Sequence, residues 1–538
     1  MLRCLLLFAC LCNALRADVP TIPLHNIVLY PFDLEPELPS DLPTVWLDPA
    51  LGNEQDRLLL QKELASFIAQ EFSGSDLNLV KNTVSRFFSD HMGQLVLAVT
   101  PPQDLSTGTL KIMVMRGTLD RIELQGNRWT SNWWLRSQSG LKEKEPFHLS
   151  KVTRNLAWLN RSPFRRTDLF LIPGETAGTT TAQLVTQERF PFRPYIGGDN
   201  TGTEYTSSTR WYTGFYAGNL WGCDQQLSYQ FTTTSDPSIF IAHSASYTIP
   251  FPWRHQLYTY GGWSRVRGDL PEPDLHNKGI NWQISPRYQI PLNPIYGNLL
   301  QEITIGYDFK RTNNGLIFGN TADPTTSADI NQFMLGYSFD YRTSTCSTSI
   351  NTEIFFSPFI LTADQTTARY QAIRPLAQDR YIYGKIRASH THSLPWDFSI
   401  KGSLIGQGTG WNLMPSEQFG IGGYDTVRGY EERGLNVDDA VLASIELNTP
   451  SMRLFHWKNT SSMKERLYFL AFLDYGWGAL HHAIRQEEST AWMLGIGPGM
   501  RYACGSHILF RADVGFPLHR AGLGRQGIHV HVGGTLSF

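Results

Sequence analysis

Residues from Phe192 to the end of the chain alternate apolar and polar side chains in one segment after another. In the segment 302–310, apolar residues occupy positions 303, 305, 307 and 309, with polar residues between them. The last segment, 528–538, repeats the alternation and ends in the aromatic Phe538. A period of two predicts β-strands with one apolar and one polar face. We count about sixteen such segments, an even number, as single-chain bacterial outer-membrane barrels require.

The first residues are typical of a secreted protein. One basic residue, Arg3, precedes a short apolar run that ends in small residues. This pattern predicts a secretory signal peptide, which we place at residues 1–17. A lipoprotein signal that ends at Cys10 is the alternative, although Phe8 fits that pattern poorly.

Two architectures can be built from such strands, a soluble β-sandwich and a closed barrel in a membrane. A sandwich would not need so many long, aromatic-rich strands behind a secretory signal. Lipid offers no hydrogen-bonding partners, so a membrane-spanning sheet has to close on itself. Only every second residue of a barrel strand meets lipid, which fits a mean hydropathy of −0.25. No later apolar run reaches the about 18 residues of a membrane helix. We therefore predict an antiparallel outer-membrane β-barrel over residues 190–538.

The charge composition argues against nucleic acid as a partner. Lys and Arg total 46 and Asp and Glu total 48, so the net charge is −2. A nucleic-acid-binding protein usually carries a clear basic excess or a basic tract. We expect no nucleic-acid binding.

The residues before the barrel show a different periodicity. Within 46–118, two apolar stripes at helical spacing are followed by two runs that are typical of strands, 95–99 and 110–114. The order strand, helix, helix, strand, strand recurs within 119–189. We predict two α+β domains over these ranges, with one larger α+β domain as the alternative. Residues 18–45 are Pro-rich and predicted to be irregular, with residues 27–30 as a candidate first strand of the first domain.

A long loop at about residues 410–438 joins two neighbouring barrel strands. It carries the sequence Val427, Arg428, Gly429, Tyr430. If the N-terminus lies in the periplasm, this loop starts outside the cell and can fold back into the pore. If the residues at 467, 469, 471 and 473 face lipid, Phe472 and Asp474 face the lumen. Arg428 can then form a buried bidentate pair with Asp474. An ordinary solvated loop arginine is the alternative.

The next two strands add further charges to the lumen wall. The alternation places Arg501, Arg511 and Asp513 inside the barrel. Glycines at 495, 497 and 499 share the inward face with Arg501. The wall is therefore expected to carry charges of both signs beside a glycine strip with room for another segment to pack.

The loop sequence, together with Phe472-Leu473-Asp474-Tyr475-Gly476, resembles a known paired signature. It is similar to that of the outer-membrane transporters of two-partner secretion, the TpsB (ShlB/FhaC/HecB) family, within the superfamily that includes the barrel-assembly insertase BamA. Other stretches agree with the family pattern, namely residues 102–108, 198–202, 218–224 and 494–501. The likeness covers nearly the whole mature chain.

The resemblance implies two periplasmic POTRA domains followed by a 16-stranded barrel. It implies that the sixth extracellular loop is reentrant and that Arg428 pairs with Asp474, which holds the loop against the barrel wall. Val427, Gly429 and Tyr430 would belong to the loop side of this contact, and Phe472 and Gly476 to the wall side. Some family members carry a long N-terminal helix that plugs the pore. Such a helix is doubtful here, because residues 18–43 are Pro-rich and poor in helix signals.

The implied function is export of a partner protein from the periplasm to the cell surface. The partner would be an unfolded, haemolysin- or adhesin-like β-helical client, captured by the POTRA domains and conducted by a barrel that acts as a monomer in outer-membrane lipid. The alternatives are an insertase that assembles other barrels, and a diffusion channel or adhesin. Export predicts that loss of the protein removes one or a few secreted proteins and leaves other barrels intact, whereas broad loss of outer-membrane proteins would favour the insertase.

Other groupings of polar residues give weaker signals. His529 and His531 share an inward face, but a third metal ligand is not evident, so polar lumen filling is preferred. The carboxylate pairs at 431–432 and 438–439 suggest either calcium or solvated loop charge, and we favour the second. The glycines at 495–499 lie in a strand and do not fit a nucleotide loop. We find no nucleophile elbow, and we expect no enzyme activity, metal or cofactor.

Overall fold

The computed structural model describes residues 22–538 apart from short gaps. The gaps are residues 33, 35, 40, 69–70, 73, 95, 146–148, 177–178, 204–205, 270–274, 293–297, 319–320, 323–326, 455–464, 484–487 and 522–526. The predicted signal peptide, residues 1–17, lies outside the described residues. The chain divides into two compact units, Met1–Arg189 and Phe190–Phe538. Among the described residues, none of the helices has both the length and the apolar character needed to cross a membrane.

The first module of the N-terminal unit is a four-stranded sheet packed against two helices. Its elements are β1 (Ile22–Pro23), β2 (Asn26–Pro31), β3 (Val45–Leu47), α1 (Glu54–Leu64), β4 (Glu71–Phe72), α2 (Gly74–Met92), β5 (Val96–Val99) and β6 (Thr109–Arg116). The sheet order is β3-β2-β6-β5, and β1 pairs with β4 separately. Asn53 caps α1 by accepting from the N–H of Asp56. The stripe of α2 that was predicted from its spacing, Val80, Val84 and Phe88 among others, is buried against the sheet.

The Pro-rich segment 18–45 contains strand β2, which covers the candidate strand at residues 27–30. Strand β2 lies in the middle of the sheet, parallel to both β3 and β6. Ile27, Val28 and Leu29 are fully buried. A strand covered on both faces is apolar throughout and shows no alternation. Residues 27–30, the candidate first strand of the sequence analysis, therefore lie in the interior of the first module's sheet.

The second module repeats the predicted order of strand, helix, helix, strand, strand. Its elements are β7 (Thr118–Gln125), α3 (Asn132–Ser139), α4 (Leu149–Leu159), β8 (Arg165–Pro173) and β9 (Thr179–Glu188), with sheet order β7-β9-β8. Ser131 caps α3, and Gly140 ends it with a φ of 62°, a conformation that glycine adopts easily. Leu119, Val152 and Leu184 belong to its own apolar core.

The carboxylate of Glu188, at the end of β9, fixes the loop that precedes α3. It accepts hydrogen bonds from three consecutive backbone N–H groups, those of Arg128 (2.6 Å), Trp129 (2.7 Å) and Thr130 (3.0 Å). The hydroxyl of Thr130 donates to it as well. Burial alone would raise the pKa of Glu188, but the hydrogen bonds to its ionised form outweigh burial and lower the pKa below its ordinary value of 4.5.

Replacing Glu188 by glutamine is expected to destabilise the second module by about 1–2 kcal/mol at neutral pH, because a half-exposed amide is a weaker acceptor for these donors. The pKa of Glu188 is depressed in the folded state, so its stabilisation is present above about pH 4.5 and lost as the pH falls through the folded-state pKa. Hydrogen exchange of residues 118–188 in the full-length protein should be faster in Glu188→Gln at pH 7, with a smaller difference near pH 4. Glu175→Gln, which changes a carboxylate that is 71% exposed, is the matched control. Equal exchange of Glu188→Gln and the unaltered protein at pH 7 would contradict this account.

The second unit is a β-barrel. Its strands are β10 (Phe192–Asp199), β11 (Arg210–Leu220), β12 (Gln225–Thr233), β13 (Phe240–Pro250), β14 (Gln256–Asp269), β15 (Leu275–Leu292), β16 (Leu299–Phe318), β17 (Thr321–Ala322), β18 (Ser327–Arg342), β19 (Cys346–Ser357), β20 (Tyr381–Ser393), β21 (Ser399–Thr409), β24 (Asp439–Asn448), β25 (Glu465–Ala479), β26 (Thr490–Cys504), β27 (Ile508–Pro517) and β28 (His529–Ser537). Between β21 and β24 lies a small hairpin of β22 (Phe419–Ile421) and β23 (Leu435–Val437), and a short helix, α5 (Thr367–Ile373), follows β19.

Within the described residues, sixteen of these strands form a continuous antiparallel ring, and β17 only extends the end of β16. The first and last strands close it through five residue pairs, from Tyr195 with Ser537 to Asp199 with Gly533. Closure lets backbone groups pair within the sheet, which a lipid environment requires. The predicted fold class, a 16-stranded barrel behind two α+β modules, is confirmed.

The two faces of the strands differ as the alternation predicts. In β25, Phe472 and Asp474 are 2% and 1% exposed, whereas Phe469 and Leu473 are more than 40% exposed on the lipid side. Leu467 is an exception to the predicted lipid-facing set, because it is buried. Its backbone pairs with Met452 in the segment that follows β24.

Candidate functional site

The loop of residues 410–438 lies inside the barrel. Thr409 ends β21 and Asp439 begins β24, and between them the chain forms the β22–β23 hairpin. Ile421, Val427 and Val437 are fully or almost fully buried. They pack with residues on strands β24 and β26. The loop therefore occupies the lumen next to one sector of the wall.

Arg428 contacts the wall through a bidentate ion pair. Its Nε donates to Asp474 Oδ2 at 2.7 Å and its Nη2 donates to Asp474 Oδ1 at 2.9 Å. The backbone N–H of Arg428 also donates to Oδ2, at 3.1 Å. Arg428 is 4% exposed and Asp474 is 1% exposed. A buried fork of this kind is strongly directional, so it fixes both the position and the orientation of the loop.

Further wall residues surround the same guanidinium. Nη1 of Arg428 donates to Glu446 Oε1 at 2.8 Å, and the Phe472 ring lies 3.6 Å from the guanidinium carbon. Asp513 Oδ1 lies 3.7 Å from Nη1 and accepts from Arg501 Nη1 at 2.9 Å. Three carboxylates therefore face two arginines, so removal of Arg428 would leave an excess of buried negative charge. We call Arg428, Asp474, Glu446 and their contacts the Arg428 anchor.

The glycines of the wall let the loop backbone come close. A Cβ atom at Gly495 would overlap the carbonyl oxygen of Arg428, and one at Gly515 would overlap the backbone of Gly429. A Cβ at Gly476 would lie 2.7 Å from the side chain of Val427. Gly429 itself has a φ of 98°, a region that favours glycine. The loop backbone therefore lies directly against the wall backbone at Gly495 and Gly515. Of the predicted glycine strip, Gly495 contacts the loop, whereas the atoms closest to a Cβ at Gly497 or Gly499 belong to wall residues.

Tyr430 completes the loop side of the contact. Its hydroxyl lies 2.6 Å from the carbonyl oxygen of His519 and 3.0 Å from that of Leu494, and accepts from the N–H of Leu494 at 3.1 Å. Val427 packs in the apolar cluster with Ile421 and Met493. Each of the four residues of the Val-Arg-Gly-Tyr sequence therefore touches the wall or packs between loop and wall.

Arg511 has a different environment from Arg501. Its guanidinium carbon lies 3.5 Å from the ring centre of Tyr424, a residue of the loop, and its Nη2 lies 3.8 Å from Asp199. Arg501 lies further from the same ring, at 5.8 Å. The predicted lumen charges thus lie around the loop, with Asp513 and Arg501 beside Arg428 and Arg511 stacked on Tyr424.

Glu417 is a residue of the loop that the sequence did not single out. It is 2% exposed. Its carboxylate accepts from Lys310 Nζ at 2.9 and 3.0 Å, from Tyr383 Oη at 2.7 Å and from Gln332 Nε2 at 3.1 Å. Lys310 is 107 positions away along the chain, so no local pattern signals this pair.

Asp438 was expected to be a solvated loop carboxylate, and this expectation is wrong. It is fully buried. It accepts from Arg374 Nη1 at 2.5 Å and Nη2 at 2.7 Å, and from the backbone N–H groups of Leu413 and His481 at 3.0 Å. Arg374 belongs to the β19–β20 loop and His481 to the β25–β26 loop. Asp438 was misjudged because two of its partners, Arg374 and His481, come from other loops that the closed barrel brings to it.

His531 lies in the lumen, as its position predicted. It is 4% exposed, and its Nε2 lies 3.5 Å from the N–H of Gly429. Its ring centre is 6.4 Å from that of His529. Within the described residues, no three histidine, cysteine or carboxylate side chains are grouped as a metal site requires.

Fold and site together define a class of protein, a closed membrane β-barrel whose lumen holds a reentrant loop tied to the wall by buried charges, with α+β modules ahead of it. A family model described as haemolysin secretion/activation protein ShlB/FhaC/HecB matches residues 178–502, which is more than half of the chain. The chain belongs to this family. It is an outer-membrane protein with the fold and the two-module N-terminal unit that the resemblance implied.

Characterised relatives agree with this assignment. The chain is 21% identical over 474 residues to the heme/hemopexin transporter protein HuxB of Haemophilus influenzae (strain 86-028NP), covering 85% of this chain and 80% of the relative. It is 24% identical over 427 residues to the outer membrane transporter CdiB of Dickeya dadantii (strain 3937), covering 77% and 72%. The solved structure of CdiB from Escherichia coli matches with a TM-score of 0.73 at 17% identity, covering 98% of this chain and 92% of that one. Both named relatives are transporters.

Proposed function

We propose that this protein exports a secreted partner protein from the periplasm, through its barrel, to the cell surface. The observation that carries the proposal is the Arg428 anchor, which holds a loop inside the lumen with side-chain contacts. A segment held by side chains can be displaced without unfolding the barrel. A barrel with such an obstruction suits regulated passage of a large client better than free diffusion of small solutes.

The residues of the site have distinct roles in this proposal. Arg428, with Asp474 and Glu446, holds the loop against the wall in the resting state. Gly429 lets the loop backbone approach the wall, and Tyr430 fixes the far side of the turn. The loop would shift when a client enters, and return when the client has passed.

Capture of the client is assigned to the two periplasmic POTRA modules. Strand β8 lies at one end of the second module's sheet among the described strands. It exposes Phe170, Leu171 and Ile172, with Phe170 52% exposed. A free strand edge can pair with an extended chain through main-chain hydrogen bonds, whatever the client's side chains. An unfolded client is therefore the form that this module would bind.

The proposed client is a large, β-helical protein of the haemolysin or adhesin kind, because the family is named for haemolysin secretion. The relative HuxB is named for heme and hemopexin. The proposed transporter acts as a monomer in outer-membrane lipid, without cofactor or enzymatic step. Folding of the client outside the cell would make its passage directional.

Deletion of the gene is expected to remove one or a few proteins from the culture medium or cell surface, with other outer-membrane barrels unchanged. The measurement is quantitative mass spectrometry of the secreted and outer-membrane fractions, with the gene restored from a plasmid as the control. Loss of many outer-membrane barrels would favour an assembly insertase instead. Unchanged secreted proteins together with altered uptake of small solutes would favour a diffusion channel.

A further inference from the structure

The loop inside the barrel has a second buried charge contact, away from Arg428. Glu417 lies on the limb that leads from β21 into the loop, whereas Arg428 lies beyond the β22 strand. Its partners Lys310, Gln332 and Tyr383 lie on β16, β18 and β20, another sector of the wall from that of the Arg428 anchor. Apart from the Asp438–Arg374 pair at the end of the loop next to β24, the loop thus makes two charge contacts with the wall strands. In one contact a loop carboxylate pairs with a wall cation, and in the other a loop cation pairs with a wall carboxylate.

We propose that Glu417, through Lys310, is a second positioning residue of the lumen loop and that passage of a client requires release of both contacts. This inference rests on the proposed export function and extends it to a residue outside the Val-Arg-Gly-Tyr sequence. We call Glu417 with Lys310, Gln332 and Tyr383 the Glu417 anchor.

Both carboxylate oxygens of Glu417 are fully engaged in hydrogen bonds, more than a polar side chain that merely fills the lumen would need. Both of its oxygens accept from Lys310, one of them also from Tyr383 and Gln332, and the other from the Ser416 hydroxyl at 3.1 Å. Lys310 Nζ forms the ion pair with this carboxylate, and the Lys310 side chain is 18% exposed. Removing one member of such a pair leaves the other charge stranded, whereas removing both does not.

The arrangement has a mechanical consequence for the loop. If only the Arg428 anchor opens, the limb at Glu417 stays on the wall and the tip of the loop can swing but not leave the lumen. If only the Glu417 anchor opens, the tip stays in place and the limb loosens. Full clearance of the lumen needs both, so each anchor limits spontaneous opening of the pore by itself.

Ion conductance of the purified full-length protein in a planar lipid bilayer tests this without any client. Glu417→Gln is expected to raise the fraction of time spent in open states by about tenfold or more, because it removes one of the loop's two charge contacts with the wall strands and leaves Lys310 without its partner. Asp425→Asn, which neutralises an exposed carboxylate of the same loop, is the matched control and should conduct like the unaltered protein. A fraction of time in open states for Glu417→Gln equal to that of the control would overturn the inference.

A double-mutant cycle identifies the partner. Lys310→Met alone should also raise opening, because it strands Glu417, and the double variant Glu417→Gln with Lys310→Met should open no more than either single variant. Additive effects of the two substitutions would overturn the pairing. The unboiled gel mobility of each variant reports whether the barrel is folded, so a misfolded variant is not mistaken for an open one. Failure of the export proposal would appear in the secretion experiment and leave these conductance results unaffected.

Discussion

Arg428→Ala is expected to abolish export while the barrel stays folded in the outer membrane. The substitution leaves Asp474 buried without its bidentate partner and leaves Glu446 and Asp513 with only Arg501 among the site's arginines to balance them. Breaking one side of a buried ion pair typically costs about 3–5 kcal/mol. That free energy corresponds to a loss of about 10² to several times 10³ in the population of the anchored position. The loop would then no longer return to one defined place between rounds of export.

Two variants make the Arg428 experiment decisive. Arg433→Ala is the matched control, because Arg433 lies in the same loop and contacts mainly Asn436 at 2.9 Å, on the loop itself; it should export normally. The charge swap Arg428→Asp with Asp474→Arg is a harsher test, since the fork geometry is not restored by exchanging the charges. The measurement is the amount of client in the medium, with the unboiled gel mobility of the barrel as the folding check. Normal export by Arg428→Ala would refute the role given to the loop.

The barrel was predictable from the sequence because the environment of the side chains alternates between lipid and lumen with every residue of a strand. The period of two decides which side chains meet lipid, so Phe472 and Asp474 could be placed in the lumen from the alternation alone. The alternation gives no facing at β2, because Ile27, Val28 and Leu29 are covered on both faces and so do not alternate. Alternation appears only where the two faces of a strand lie in different environments, and both faces of this central strand are buried.

The pairings inside the lumen were harder to predict. Arg428 and Asp474 are 46 positions apart, and spacing alone favoured a solvated arginine, so their pairing was expected only through the family resemblance. Glu417 with Lys310 and Asp438 with Arg374 are separated by 107 and 64 positions, with no motif to connect them. Their contacts depend on barrel closure and on where a long loop comes to rest. The side of the sheet on which a residue lies can be derived from its own strand, but the residue that it contacts across the lumen cannot.

The glycine contact between loop and wall could be predicted only in part. The alternation placed glycines 495, 497 and 499 on the inward face and suggested room for packing. It did not show that Gly515, on the next strand, meets Gly429 directly. A Cβ atom at Gly515 would lie 2.6 Å from Gly429 Cα and 2.7 Å from the carbonyl carbon of Arg428. The neighbours are backbone atoms, which cannot turn aside as a flexible side chain can.

Gly515→Val is therefore expected to reduce export as severely as Arg428→Ala, although both members of the ion pair remain. The added side chain pushes the loop away from β27, and the hydrogen bonds of 2.7 and 2.9 Å between Arg428 and Asp474 are too short-ranged to survive that displacement. Valine suits a β-strand, so the barrel itself should assemble. Gly402→Val, at a β21 position with nothing within 4 Å of the added Cβ, is the matched control and should export normally. If Gly515→Val secretes its client at the control's level, close backbone packing is not what holds the loop in place, and the charges alone would have to account for it.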